Sequence, residues 1–343
     1  MGKAGTILSI KPPFAIPGAE IIVECEGFEL DLAADCGVFA NNVHCRTVAA
    51  SHERVIARLP EDIEGGTVQV TLRSGSEISV PKPIVVGKML ADDMHMVANP
   101  AVDPADDSII LTRSGSRGQQ LPVTLYRLEA DGYLDEFPEP ILNPTSVAFG
   151  RDGELFVTNR AQGEVYSVDR SGSTSIFASG LGIASGLAFD KTGVMFVGDR
   201  TGTIFRVHDF ADVETFAVVE PSVAAHHLAF SPSGDLYLTA PGFASKDGIY
   251  LITPDGGVTT FHRGLGRPQG MAFDISGDMY VAACHSGRHG VVKIKADGSS
   301  SEHLVSGDNI VGLCFTRKGE MIVAASDIIY SIPCGIYGSI LSH

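Results

Sequence analysis

No tryptophan occurs among the 343 residues, so large buried rings must come from 17 phenylalanines and 8 tyrosines. No apolar run approaches the ~20 residues of a membrane-spanning helix. Six cysteines, at positions 25, 36, 45, 284, 314 and 334, include no CxxC pair. That spacing excludes a zinc ribbon and makes free thiols the default. There is no G-x-S-x-G elbow, no phosphate-binding glycine loop and no H-E-x-x-H helix. Basic residues are scarce, 25 against 41 acidic ones, for a net charge of −16. Residues 91–343 hold 30 acidic and 17 basic side chains, against 11 and 8 in residues 1–90, so the later part carries most of the imbalance. Such a surface repels polyanions, which excludes nucleic acid and anionic membranes as partners. The start, Met1-Gly2-Lys3, opens into a strand pattern with no secretory signal, which gives a cytoplasmic expectation.

A repeated phrase is what the chain does have. Ser146-Val147-Ala148-Phe149 returns as Gly186-Leu187-Ala188-Phe189, His227-Leu228-Ala229-Phe230, Gly270-Met271-Ala272-Phe273 and Gly312-Leu313-Cys314-Phe315, the phenylalanines 40, 41, 43 and 42 residues apart. A fixed period of this length marks repeated supersecondary units. Within the unit from Pro144 to Leu181, short apolar runs at 146–149, 154–158, 164–168 and 174–178 alternate with Gly-containing turns, the pattern of a four-stranded meander. One such sheet cannot cover its own faces, so neighbouring blades must do it. A divergent unit at 99–102, 108–112, 123–128 and 133–137 brings the count to six. The expectation is an all-β, six-bladed propeller over residues 95–343. Its last blade has three clear strands, at 310–315, 321–325 and 328–332; the fourth is expected from residues 84–90 or 338–341, residues 87–94 otherwise serving as a linker.

Residues 1–86 read as a separate immunoglobulin-like β-sandwich, with strand patterns at 6–10, 20–25, 36–39, 43–50, 55–59, 67–73 and 78–80. The motifs Ile7-Leu8-Ser9-Ile10-Lys11-Pro12-Pro13, Pro17-Gly18-Ala19-Glu20, Gly27-Phe28 and Gly65-Gly66-Thr67-Val68 resemble the IPT/TIG family. That resemblance implies a spacer or a docking module, with a protein partner engaged through this domain.

Chemistry is expected where loops converge on the propeller axis. The entries to the inner strands place Asn99, Thr145, Ser185, His226, Gln269 and Val311 there. The loops after the second strands add Arg113, Asn159 with Arg160, Asp199 with Arg200, Lys246, His285, Arg288, His289, and Ser326 with Asp327. Strand alternation is expected to turn His226 into the channel and His227 between blades, making His226 the candidate base or metal ligand. Asn159-Arg160 and Asp199-Arg200 recur at matching positions, where the acid or amide would close a turn and the arginine brace the next blade; near the mouth they also suit a hydroxyl-rich or carboxylate ligand.

Pro144-Thr145-Ser146-Val147-Ala148-Phe149 with Asp152-Gly153-Glu154-Leu155-Phe156-Val157, and Pro268-Gln269-Gly270-Met271-Ala272-Phe273 with Gly277-Asp278-Met279-Tyr280-Val281, resemble NHL repeats and the gluconolactonase and senescence marker protein family of six-bladed propellers. The missing tryptophan argues against WD repeats. The resemblance implies a lactonase-like hydrolase of a small lactone or ester, with one divalent metal, calcium or zinc, polarising the carbonyl and activating water. The positions that match are Asn99, His226 and Gln269 as metal ligands, with His226, Asp199 and Asn159 as the catalytic group. Arg113, Arg160, Arg200, Gln269, His285, Arg288 and His289 are left to bind the small-molecule ligand. No carboxylate stands at the strand entries, where calcium would want one. The alternatives are a non-catalytic NHL-type scaffold for a ligand or protein, and a zinc-dependent lyase.

Overall fold

The computed structural model describes residues 3–29, 36–115, 119–209, 212–242 and 247–339, and every regular element in them is a strand. Six sheets are arranged as a propeller. Blade 2 consists of Pro144–Phe149, Leu155–Asn159, Glu164–Val168 and Thr174–Ala178, paired antiparallel in sequence order, as the turn spacing requires. Blades 1, 3, 4 and 5 repeat it, with inner strands Ala101–Val102, Ala184–Phe189, His227–Phe230 and Met271–Phe273.

Blade 6 consists of Gly312–Phe315, Glu320–Ala325 and Ile328–Pro333, and its outer strand is Lys88–Ala91 from before the propeller. Closing the ring with an upstream strand pairs an edge that would otherwise be open. Gly338 instead makes a single bridge to Asp274 in blade 5.

The repeated phenylalanine has a packing reason. Phe189, Phe230, Phe273 and Phe315 each meet the second-strand ring of the preceding blade, Phe156, Phe196, Tyr237 and Tyr280, at centroid distances of 5.1, 5.3, 5.2 and 5.0 Å. Tilted and edge-on pairs of this kind add about 0.5–1.5 kcal/mol each beyond their area. Buried clusters therefore lie between successive blades, as where Phe156 and Val165 of blade 2 pack on Leu187 and Met195 of blade 3.

The N-terminal segment is an immunoglobulin-like sandwich. One sheet has Thr6–Lys11, Glu20–Glu26, Arg54–Arg58 and Arg46–Ala50; the other centres on Lys82–Val86, Gly66–Ser74 and Cys36–Ala40. Phe14–Ala15 lies parallel to Lys82–Val86 on one side and to Ser301–Ser306, the outer strand of blade 5, on the other. The second sheet and blade 5 thus form one ten-stranded sheet. Ile16, Val86 and Ile84 share a core with Val305, Ile310 and Ile332, and Arg58 pairs with Asp308 at 2.6 Å. Gly87 marks the passage between the two units: a Cβ there would stand 3.1 Å from Tyr330 and 3.3 Å from Ile332. Cys25, Cys45, Cys284, Cys314 and Cys334 are free thiols, and no helix among the described residues is long and apolar enough to cross a membrane.

Candidate functional site

Two cavities meet at the axis on the face formed by the loops that enter the inner strands. The wider, about 1150 Å³, is lined by Arg200, Ser222, Arg267, Gln269, Cys284, His289, Asn309 and Ser326 among others. The narrower, about 310 Å³, adds His95, Thr145, Arg160 and Ser185 on an apolar wall that includes Met96, Ile183 and Ala224. Arg200, Val223, Arg267, Gln269, Val311 and Ser326 border both, so the two form one mouth.

The strand entries do not all face that mouth. His226 is fully buried, and its Nδ1–H donates to the Asp199 carbonyl of blade 3 at 2.8 Å. Its Cβ lies 3.0 Å from where a Cβ on Gly198 would stand. The reason corrects the sequence expectation: both faces of an inner strand are covered by neighbouring blades, so alternation chooses between two blades and never selects the channel. Leu228, two residues on, packs on blade 3 with Phe196 and Ile204, whereas Ala229 packs toward Met271 and Met279 of blade 5. By the same alternation His227 belongs to the blade 5 side. Burial lowers the pKa of both rings, that of His227 to about 3 with the adjacent His226 contributing.

Asn99 is equally committed. Its Nδ2 donates to the Met271 carbonyl at 2.8 Å and its Oδ1 accepts from Leu313 N–H at 3.0 Å, tying the inner strands of blades 5 and 6. Gln269 alone of the three expected metal ligands borders the cavity. Among the described residues, no three His, Cys, Asp or Glu side chains are grouped to hold a metal. The donor set does not fit a divalent ion.

Asn159 and Asp199 close turns. Asn159 Oδ1 accepts from Ala161 N–H and Gln162 N–H at 3.0 and 3.2 Å. Asp199 Oδ1 accepts from Ile183 N–H and Thr201 N–H at 2.8 and 3.0 Å, and its Oδ2 takes the Thr201 hydroxyl. Neither group is left for catalysis. The arginines that follow them part company. Arg200 braces blade 4, its Nε and guanidinium NH₂ donating to the Ser222 and Val223 carbonyls at 3.2 and 2.8 Å. Arg160 is half-buried and has no hydrogen bond or ion pair among the described residues; burial, and then the Arg200 charge, lower its pKa.

Of the remaining candidates, Arg113 is ion-paired with Asp93 away from the cavity. His285 and Arg288 flank a two-residue turn, Ser286 and Gly287 at φ 51° and 79°, whose left-handed backbone explains the glycine. His285 contacts Ser301 at 3.4 Å and does not line the mouth. His289 does, with its Nδ1 bonded to the Gly307 carbonyl at 3.1 Å. Lys246 lies outside the described residues. Arg267, Cys284 and Asn309 were not singled out by the sequence reading. Arg267 and Asn309 share a signal: each stands two residues before a strand-entry position, as Asn143 does.

No protein family matches this chain in sequence, and no curated protein does. Solved structures match the fold. A putative gluconolactonase is 18% identical with a TM-score of 0.61, over 75% of this chain and 94% of its own. An auxiliary nutrient binding protein from Bacteroides thetaiotaomicron is 12% identical with a TM-score of 0.56, over 96% and 97%. A virginiamycin B lyase from Staphylococcus aureus is 11% identical with a TM-score of 0.51, over 87% and 99%. The class defined by these likenesses and by the sheets is a six-bladed propeller preceded by an immunoglobulin-like sandwich.

Proposed function

We propose that this propeller is a small-molecule recognition protein whose ligand enters the mouth between the inner-strand loops. The observation that carries the reading is the pair of joined cavities, lined by polar groups from several blades and floored by apolar ones, the general form of a ligand site. A metal-dependent lactonase or zinc lyase is disfavoured because His226 and Asn99 spend their side chains between blades. A second reading, metal-free hydrolysis of a small lactone or ester, rests on His289. With Nδ1 donating to Gly307, its Nε2 carries the lone pair that a general base needs.

The two readings separate in one experiment. A fragment library is screened by ligand-observed NMR against wild type and Gln269→Ala, and hits are re-tested with His289→Gln. Recognition alone predicts hits weakened by the first change and no turnover of lactones or esters by any form. Turnover abolished by His289→Gln would establish the hydrolase, and no hits at all would sink both.

A further inference from the structure

We infer that the ligand of this mouth is an organic anion whose carboxylate or phosphate group is held among Arg160, Arg200 and Arg267, an inference that rests on reading the mouth as a small-molecule site.

Arg267 is the first reason. Its φ of 45° lies in the left-handed region, and the equivalent positions of two other blade entries hold Asn143 at 47° and Asn309 at 56°. Asparagine tolerates that backbone because its short amide bonds locally; a long side chain does so at a cost. Arg267 recovers nothing nearby, being exposed with no hydrogen bond or ion pair among the described residues. The backbone would be served better by asparagine, so the guanidinium is there for what enters the mouth.

Arg160 is the second. It occupies the turn position from which Arg200 braces its neighbour, yet among the described residues it makes no such bond, and it lines the narrower recess together with Arg200, whose charge acts on it. Two adjacent cations partly removed from water repel unless an anion joins them. The third reason lies in the same recess: Thr145 is 1% exposed, and its Oγ1 has no hydrogen-bond partner.

Among the described residues no carboxylate lines either cavity, although the chain as a whole carries a charge of −16. Asp327, which follows the lining residue Ser326, lies 3.5 Å from His95, itself part of the lining. The apolar wall, with Met96, Val97, Ile183 and Val311, leaves room for a carbon body behind the charged head. Free inorganic phosphate and an organic carboxylate share the charge but differ in that body, so the wall favours the latter.

The test titrates matched pairs, benzoate with benzamide and gluconate with gluconamide, and inorganic phosphate alone, into wild type, Arg160→Gln and Arg267→Asn. The acid of at least one pair is expected to bind about tenfold or more tightly than its amide, the worth of one charge-assisted hydrogen bond. Arg160→Gln should erase that preference. Arg267→Asn should reduce it while unfolding at the same or higher urea concentration, which separates loss of binding from loss of fold. Phosphate binding as tight as the preferred acid would show that the carbon body adds nothing to recognition and would overturn the organic part of the inference. Amides bound as well as acids would overturn the inference and leave the recognition reading standing. Binding of no probe would count against both.

Discussion

The two faces of the propeller use charge in opposite ways. On the lower face, turns joining first to second and third to fourth strands carry aspartates that cap their own turns. Asp169 Oδ1 accepts from Ser171 and Ser173 N–H at 2.8 and 3.0 Å, Asp190 from Thr192 and Val194 at 2.8 and 2.9 Å, and Asp274 from Ser276 and Asp278 at 2.9 and 3.0 Å. The acidic cleft there, about 550 Å³, is answered in part, Arg127 pairing with Asp103 at 2.8 Å and with Asp106 at 3.5 Å. At the upper mouth, Arg160 and Arg267 have no hydrogen bond or ion pair among the described residues. The lower acids are turn chemistry repeated blade by blade; the upper cations have no local structural employment, and that is why recognition is assigned to them.

This contrast predicts that lower-face changes cost stability and leave the mouth alone. Asp274→Ala has the largest expected effect, because Asp274 Oδ2 also accepts the hydroxyl of fully buried Tyr280 at 2.9 Å. Leaving that hydroxyl and two amides unpaired should cost about 3–5 kcal/mol in urea unfolding. Asp190→Ala, in a more open turn, should cost about 1 kcal/mol. Equal losses at the two sites would break the distinction between a turn cap and a core anchor.

A smaller effect sharpens the comparison through pH. Burial lowers His227 to about 3, His303 to about 4, and His226 in the same direction. The unfolded chain binds these protons first, near pH 6.5, so the stability from keeping the rings neutral is complete above that value and is lost as pH falls toward 4. His227 and His303 should each contribute about 2 kcal/mol of that loss between pH 6.5 and 5, and His226 adds to it in the same direction. Urea midpoints at pH 7.5, 6 and 5 should fall accordingly, with a shallower fall in His303→Gln. A midpoint independent of pH over that range would contradict the buried neutral rings.

Much of the fold could be read from sequence because one phrase recurs. Its phenylalanine makes the same inter-blade ring contact in four of its five occurrences, and the strands of blade 2 fall within a residue or two of their expected limits. Phe14–Ala15 escaped because two residues between prolines show no alternation, and Lys82–Val86 because Pro83 interrupts it. The site was less legible. Alternation tells that His226 and His227 face opposite ways but not what covers each face, so a ring wedged against blade 3 was read as facing the channel. Recurrence drew attention to Arg160 and Arg200 but could not show that only Arg200 finds carbonyls to brace. The cost of an arginine at Arg267 is visible only in its backbone angle.

The most direct measurement uses Cys284, which borders the mouth, as a reporter of its charge. Alkylation by anionic iodoacetate and neutral iodoacetamide is followed by peptide mass mapping, and their rate ratio is compared with that of a small free thiol. Uncompensated guanidiniums should raise the ratio at Cys284 about threefold or more at low salt, with the gain shrinking at higher ionic strength and in Arg267→Asn. A ratio at or below that of the free thiol, unchanged by salt or by the substitution, would show that the mouth is not cationic and contradict the account.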